Sequence, residues 1–256
     1  MRGTLSYLWA LMMANMKSHG AQLRRLFVMS FFMMIQNTMF FIIWILFFQS
    51  VSDLKGWQLP DYMRLIGIFA SSFGFCMFFF YGVRNIAYWI QDGSLDAYIT
   101  RPRAVLPAVL MSASSPASLG DILYGPILWL TLGGMPLSSL PWFLVLAMMS
   151  ATLLLSVLII MYSLSFWLKG SPRFPDQLFE MLLIFTGNIL HGQPFALKAV
   201  AFTIIPAGFI TYIPVQLTRE FDATLCALLI GAMIFYGVLA VIVFNAGVRR
   251  YVRGAV

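Results

Sequence analysis

Residues Ala223–Val248 read ATLCALLIGAMIFYGVLAVIVFNAGV and contain no Asp, Glu, Lys or Arg. A helix needs about 20 mainly apolar residues to cross the hydrocarbon core of a bilayer, and this stretch exceeds that length. Three basic residues, Arg249, Arg250 and Arg253, follow it closely. Such residues are typical of the cytoplasmic end of a span. The stretch therefore predicts a transmembrane helix.

The composition of the whole chain gives the same indication. Of its 256 residues, 61% are hydrophobic and only 10% are charged, whereas a soluble domain normally carries about a quarter charged residues. So few polar residues cannot cover a water-soluble core of this size, and the bilayer must be the solvent for much of the chain. The net charge of +7 comes from short basic clusters between apolar runs, which argues against nucleic-acid binding.

Upstream of this last helix, further apolar stretches predict additional spans. Four are long enough by themselves: Leu26–Gln49, Tyr62–Gly82, Ala117–Gly134 and Trp142–Leu168. The next two apolar pieces, Asp176–His191 and Ala196–Ile213, are each shorter than a comfortable span. Gly192 and Pro194 separate them. This part of the chain therefore forms either two spans or one span and a re-entrant element.

The distribution of basic residues decides between these topologies. A re-entrant second piece gives six spans with both termini in the cytoplasm, and 12 of the 16 Lys and Arg residues then lie on the cytoplasmic side. These are Arg2, Lys17, Arg24, Arg25, Arg84, Arg101, Arg103, Lys169, Arg173, Arg249, Arg250 and Arg253, which leaves Lys55, Arg64, Lys198 and Arg219 outside. A seventh span would move the last three cytoplasmic residues outside, against the positive-inside rule. We therefore predict six spans.

The predicted domain organisation is a single transmembrane permease domain, residues 1–256, of the all-α class. Residues 1–25 carry basic residues and apolar residues at helical spacing, which predicts an amphipathic helix in the membrane interface and not a cleaved signal peptide. Residues 83–116 form a cytoplasmic loop, and residues 192–214 form the re-entrant element between spans five and six. Irregular backbone at membrane depth must be surrounded by protein or line a cavity, so Pro194–Pro214 is expected within the bundle or at its outer mouth.

Motifs for enzymatic chemistry are missing from the sequence. There is no phosphate-binding G-x-x-x-x-G-K-[ST] loop and no G-x-S-x-G nucleophile elbow. The two histidines, His19 and His191, are too far apart to suggest a metal site. Cys76 and Cys226 both lie in apolar runs and are expected to be packing residues. We predict no catalytic residue, no metal site and no cofactor bound by this chain.

A few polar residues fall inside the predicted spans. Charged groups are costly in a membrane and suggest function, although Glu180, Asp121 and Arg64 are more simply explained by contact with an interface or a neighbour. Deeper amides either line a path or join helices by hydrogen bonds. The candidates for lining a path are Asn37, Glu180 and Asn188.

Small residues in the second predicted span indicate close helix packing. Gly67, Ala70, Ser71 and Gly74 recur at the spacing of a helix–helix seam. The seam is expected either within one chain or between two copies.

A charged loop follows the second span. Residues 90–102 read IQDGSLDAYITRP. A short helix from Leu95 would present Asp96 near its N-terminus, with Ser94 as its cap. Pro102 disfavours helix at Arg101. The expected result is a compact, charged element that projects from the bundle, the alternative being an ordinary surface loop.

Two motifs resemble those of ABC-2-type permeases, the membrane subunits of type-2 ABC exporters, and in particular a bacterial six-span family. The pattern G-x-x-D-x-x-x-x-R-P, formed by Gly93, Asp96, Arg101 and Pro102, resembles their coupling loop. The late pattern I-P-x-x-F-x-x-Y-x-P resembles their element before the last span. It comprises Ile205, Pro206, Phe209, Tyr212 and Pro214. The residues that mark the re-entrant element are Pro194, Pro206, Phe209, Tyr212 and Pro214.

The resemblance implies a specific assembly. The loop would dock on a nucleotide-binding subunit through Asp92, Gly93, Asp96, Arg101 and Pro102. Two permeases, identical or sister subunits, would enclose the translocation path, with ATP and Mg bound by two separate ATPase subunits. Export across the bacterial inner membrane would follow, with both termini cytoplasmic.

Two other classes of function are compatible with the residues. One is a secondary carrier or channel driven by an ion gradient, and the other is a membrane scaffold without a path. Dependence on a separate ATPase distinguishes the exporter from both. The substrate is open among drugs, lipids, peptides and lipid-linked sugars.

Overall fold

A computed structural model of the chain describes residues 10, 13, 23–50, 56–101, 104–168, 173–187, 194–203 and 205–254, and this part is built of helices. In chain order they are α1 Leu23–Ser50, α2 Leu59–Phe80, α3 Ile86–Asp92, α4 Asp96–Ile99, α5 Val105–Leu110, α6 Ser118–Leu130, α7 Leu140–Ser163, α8 Phe174–Thr186, α9 Phe195–Thr203, α10 Ile213–Arg219 and α11 Ala223–Val252. Short 3₁₀ turns join α2 to α3 at Tyr81–Asn85 and follow α7 at Leu164–Phe166. A π-helical turn, Gly208–Tyr212, leads into α10. The all-helical class predicted from the sequence is confirmed.

Four helical runs within the described residues are long and apolar enough to cross a membrane. They are Arg24–Ser50, Leu59–Asp92, Leu137–Phe166 and Ala223–Val252. The pair Phe195–Thr203 and Gly208–Arg219 makes a fifth only if the two pieces, bent by 86°, count as one span. The third and fifth predicted spans contain α6 and α8, of 13 residues each. At 1.5 Å per residue such a helix is about 20 Å long, so helix length alone supports four or five spans and not the predicted six.

The N-terminal prediction falls on a part of the chain that is mostly undescribed. Of residues 1–25, only Ala10, Met13 and the first turn of α1 belong to the described residues. The predicted amphipathic interfacial helix therefore lies mostly outside the described residues.

The centre of the bundle is α2, which packs against α6 and α7. Tyr62, Leu65 and Ile68 of α2 have no exposed surface. By contrast, α1 contacts mainly α6 and leaves large apolar side chains exposed, including Phe31 and Phe32. Such a surface is stable against hydrocarbon but not against water, which agrees with a membrane-embedded bundle.

Small residues bring α2 and α6 into close contact. A Cβ built at Gly74 would lie 2.7 Å from the backbone nitrogen of Ile122, and one built at Gly125 would overlap the carbonyl oxygen of Gly67. Ser71 donates a hydrogen bond of 3.0 Å to the carbonyl of Ile122 across the same contact. The predicted small-residue seam therefore lies within one chain.

Charged and polar groups collect at the two ends of α2. One end is where α2 begins, and it is called the opposite end because it lies away from the charged loop. There Asp61 forms ion pairs with Arg64 at 3.5 Å and with Arg219 at 3.9 Å. Arg64 also donates to the carbonyl of Gly133 at 2.9 Å. The other end, the loop end, carries the described residues between 81 and 116, and Asp176 contacts Arg84 there at 3.3 Å.

The 13-residue helices α6 and α8 each run from one end of α2 to the other. Before α6, the Ser115 amide donates to the carbonyl of Met77 in the last turn of α2; after α6, Gly133 meets Arg64. Likewise α8 begins beside Arg84 and ends where the Tyr62 hydroxyl donates to the carbonyl of Gly187 at 3.0 Å. Although only 13 residues long, each helix thus lies along most of α2.

Candidate functional site

The loop predicted to couple to a partner begins at a glycine. Gly93 ends α3 with a φ of 79°, in the left-handed region that glycine adopts at little cost. Among the described residues, a Cβ at this position would meet no atom within 4 Å. Within this part of the chain, glycine is therefore explained by the backbone conformation and not by close packing.

The expected cap of the next helix is wrong. Within the described ranges no side chain caps α4, whose N-cap is Leu95 in a helical conformation. Ser94 instead donates its backbone N–H to Oδ1 of Asp92 at 2.9 Å. Asp92 thereby forms an Asx-type turn two residues ahead, which moves Ser94 out of the capping position.

The loop is anchored on its inner side. Leu95 has no exposed surface, and its amide donates to the carbonyl of Trp89 at 3.2 Å. The Tyr98 ring stacks on Trp89 with a centroid distance of 4.9 Å and an interplanar angle of 20°. The guanidinium of Arg101 lies 5.4 Å from the Tyr98 centroid, a cation–π arrangement. These contacts hold α4 in one orientation.

Most of the predicted docking residues share the outer surface of this loop. Asp92, Asp96 and Arg101 are exposed, and Gly93 is half-buried. Pro102, the fifth predicted residue, lies outside the described residues. Since the inner side is packed and the outer side carries charges of both signs, the loop presents a rigid and charged surface.

The C-terminal helix reaches the same surface. Tyr251, near the end of α11, interacts electrostatically with the Asp96 carboxylate. Its ring packs edge-on against Phe166 at 6.3 Å, just after α7. The loop end therefore contacts the core through α11 as well as through α3.

Behind the loop lies a hydrogen-bonded network centred on Asp176 in the first turn of α8. Its Oδ1 accepts from the Tyr162 hydroxyl at 2.6 Å and pairs with Arg84 at 3.3 Å, and its Oδ2 accepts from the Tyr88 hydroxyl at 3.1 Å. The Arg84 guanidinium also lies 5.0 Å from the centroid of Phe179. Four elements, α3, α7, α8 and the 3₁₀ turn after α2, are thus tied together at the loop end.

A cavity of about 300 Å³ lies between α1 and α8, against α2 and α6. Of the candidate path-lining residues, Asn37 lines it and donates to Oδ1 of Asp121 at 2.7 Å. Asp121 itself is only 2% exposed. Glu180 is exposed on α8 and is absent from the cavity wall, and Asn188 lies outside the described residues. The structure therefore joins Asn37 to Asp121 and not to Glu180.

The residues of the predicted re-entrant element lie at different depths. Pro206 and Pro214 are buried, Phe209 and Tyr212 are half-buried, and Pro194 is exposed. Tyr212 stacks on the fully buried Trp57 with a centroid distance of 5.6 Å. The expectation of packing within the bundle thus agrees with the second half of the element and not with its start.

Sequence reasoning missed the Asp176 network and the burial of Asp121. The partners of both carboxylates are distant in the chain, Arg84 by 92 residues and Asn37 by 84. The available signal was an acidic residue at the start of an apolar run, which also fits an interfacial position. Among the described residues, no group of three or more His, Cys, Asp or Glu is arranged to hold a metal ion.

Comparison with known proteins assigns the family. The family model described as ABC-2 family transporter protein matches residues 33–254, which include the loop of residues 83–116, the Asp176 network, the cavity and the late proline-containing element. Neither the curated proteins nor the solved structures give a match. Because the match covers most of the chain, the protein belongs to the ABC-2 family of transporter proteins and is an ABC-2-type permease.

Proposed function

We propose that the chain is the transmembrane subunit of an ATP-driven exporter and that it forms the translocation path with a second, identical or sister, permease. The observation that carries the proposal is the rigid, charged loop of a chain matching the ABC-2 family over residues 33–254. Permeases of this family generally work with ATPase partners. Two such subunits would bind ATP and Mg, and this chain would bind no cofactor and catalyse no reaction.

The loop of residues 83–116 is the proposed docking element. Its contact residues are Asp92, Gly93, Asp96, Arg101 and Pro102. Trp89 and Tyr98 stack behind them, so a displacement of the docked loop would move α3 as a body. The Asp176 network then joins α3 to α8, and α8 borders the cavity. Movement at the ATPase would in this way reach the path.

Six spans remain the proposed topology, with both termini in the cytoplasm of a bacterial inner-membrane protein. Support comes from α6 and α8, which connect the two ends of α2 despite their length. The element of residues 192–214 is proposed as re-entrant because the chain before it and the chain after it both contact the same end of α2. Gly187 before it meets Tyr62, and Arg219 after it pairs with Asp61, both in the first turn of α2.

A second permease is proposed to close the cavity. The cavity is bordered by α1 and α8, and both helices leave large apolar side chains exposed beside it, such as Phe40 at 53% and Ile184 at 63%. A copy packed against these helices would convert the open cavity into an enclosed path. An identical chain and a sister subunit are equally suited to this arrangement.

A gradient-driven carrier is the second candidate function. It is favoured by the buried carboxylate of Asp121, because ionisable groups inside a membrane protein often mark ion or proton pathways. Such a carrier would move its substrate without any ATPase. The two functions are therefore separated by partner dependence.

The test is affinity purification of the tagged chain from its native membrane in mild detergent, followed by an ATPase assay. The wild-type chain is expected to bring down an ATP-hydrolysing subunit. The charge reversals Asp96→Lys and Arg101→Glu should abolish this association while the chain still inserts in the membrane. Glu220→Lys, a reversal at the opposite end of the bundle, is the matched control and should retain the partner.

Two results would overturn different parts of this proposal. Retention of the ATPase subunit by both loop variants would remove the loop from the docking surface and leave the exporter in place. A chain that purifies alone and moves solute in liposomes under an ion gradient would overturn the exporter and assign the chain to the carrier class.

A further inference from the structure

The cavity beside α2 is apolar except at one place. Aromatic rings of Phe40, Phe69, Phe73 and Tyr124 contribute to its wall. Asp121 is the only charged residue among the described residues that line it, and no Lys, Arg or His is found with it. The wall therefore combines a large aromatic surface with a single acidic group.

Asp121 has an incomplete set of hydrogen bonds. Oδ1 accepts from Asn37, whereas Oδ2 is buried and has no hydrogen-bond partner among the described residues. An ionised carboxylate in this position lacks a second donor, and a protonated one lacks an acceptor for its hydrogen. Because buried polar groups left unpaired are costly, a partner from outside these residues is indicated.

We propose that the cavity is a binding site for a lipophilic organic cation, whose charged centre pairs with Asp121 and whose apolar body packs on the surrounding rings. This inference rests on the proposed function, since the bound cation would be cargo on the translocation path. It narrows the open choice of substrates to molecules with a positive centre and an apolar body.

The sign of the charge follows from the wall. A cation is attracted by the carboxylate, and the attraction is strong where little water screens it. Aromatic faces add a favourable interaction with a positive charge. An anion of the same shape would meet the carboxylate with no basic residue nearby among the described lining residues, and a neutral molecule would leave an ionised carboxylate without a counter-ion.

The test compares ions of one shape and opposite charge. The full-length chain is reconstituted in nanodiscs of zwitterionic lipid without any ATPase, and binding of tetraphenylphosphonium is measured by equilibrium dialysis against empty nanodiscs. Saturable binding of tetraphenylphosphonium is expected, at least tenfold tighter than that of tetraphenylborate. Triphenylphosphine oxide, a neutral aryl compound, should also bind at least tenfold more weakly.

Variants locate the site. Asp121→Asn preserves the shape of the side chain and should weaken tetraphenylphosphonium binding at least tenfold. Ala70→Leu leaves the carboxylate in place, but its larger side chain fills part of the cavity. It should weaken tetraphenylphosphonium binding as well. Asp222→Asn is the matched acid-to-amide control, because Asp222 caps α11 outside the cavity and Asn is an equally good cap. It should bind as the wild-type chain does.

The site assignment is overturned if Asp121→Asn binds tetraphenylphosphonium as tightly as the wild-type chain. It is also overturned if the wild-type chain fails to prefer the cation over tetraphenylborate, a result that needs no variant to fold. Neither measurement involves an ATPase. Selective cation binding by a chain that purifies without an ATPase would therefore sink the exporter alone, and an ATPase partner without selective binding would sink the cation site alone.

Discussion

Arg84 and Asp176 form an ion pair of 3.3 Å between the turn after α2 and the first turn of α8. Both side chains are largely covered, with exposed fractions of 31% and 22%. Tyr88 and Tyr162 donate to the same carboxylate. The pair therefore joins the segment that leads to the proposed docking loop to a helix that borders the cavity.

Loss of this ion pair is expected to destabilise the bundle. Arg84→Met and Asp176→Asn should each lower the free energy of unfolding, because each leaves a partly buried charge or donor without its partner. The double variant should lose less than the sum, with an interaction energy of about 1–2 kcal/mol. The measurement is denaturation of the purified chain by SDS in mixed micelles. Strictly additive losses would mean that the two side chains do not stabilise each other.

The seam between α2 and α6 leads to a second prediction. Gly125→Ala places a methyl group against the Gly67 carbonyl and the Ser71 side chain, so the two helices must separate, at a cost of about 1–3 kcal/mol. The same unfolding assay measures this loss. Gly231→Ala in α11 is the matched control, because no atom of the other described elements lies within 4 Å of its new Cβ. A loss for Gly231→Ala equal to that for Gly125→Ala would contradict the close-packed seam.

Gly93 offers a test of loop geometry without a steric change. Gly93→Ala introduces no clash with the described part of the chain but makes the left-handed conformation at 79° unfavourable by about 1–2 kcal/mol. The loop should then rearrange, and less ATPase subunit should co-purify while the amount of chain in the membrane stays unchanged. Gly93→Asn should retain more of the partner, since Asn adopts this conformation more readily. Equal retention by Ala and Asn would show that the left-handed turn is not needed for docking.

The fold illustrates which features local sequence encodes. The long apolar runs predicted α1, α2, α7 and α11, since the period and length of an apolar run are local properties. The spacing of Gly67 and Gly74 predicted a seam, although the partner helix had to come from the structure. The sequence already indicated a short helix at α8, but the length of α6 could not be foreseen, because helix boundaries depend on contacts such as that between Arg64 and Gly133.

The sequence located the charged loop but not the polar contacts inside the bundle; the role of the loop stays a prediction. Gly93 was identified from a motif, but the helix start depends on Asp92, whose carboxylate takes the Ser94 amide. Asp121 was expected to contact an interface or a neighbour, but the residues around it in sequence do not identify Asn37 as that neighbour. A buried pair of residues from distant helices has no local pattern, so only the assembled bundle reveals it.

Sidedness of the chain provides the last prediction. Cys76 and Cys226 are first replaced by Ala, and single cysteines are then introduced at Ser94, Glu220 and Arg253, all exposed positions. A membrane-impermeant maleimide applied to intact cells, with the outer membrane permeabilised, should label Glu220→Cys only. Ser94→Cys and Arg253→Cys should react only after the inner membrane is opened, because Tyr251 brings the end of α11 to the proposed docking loop. Labelling of Arg253→Cys in intact cells would move the C-terminus outside and favour a seventh span in place of the re-entrant element.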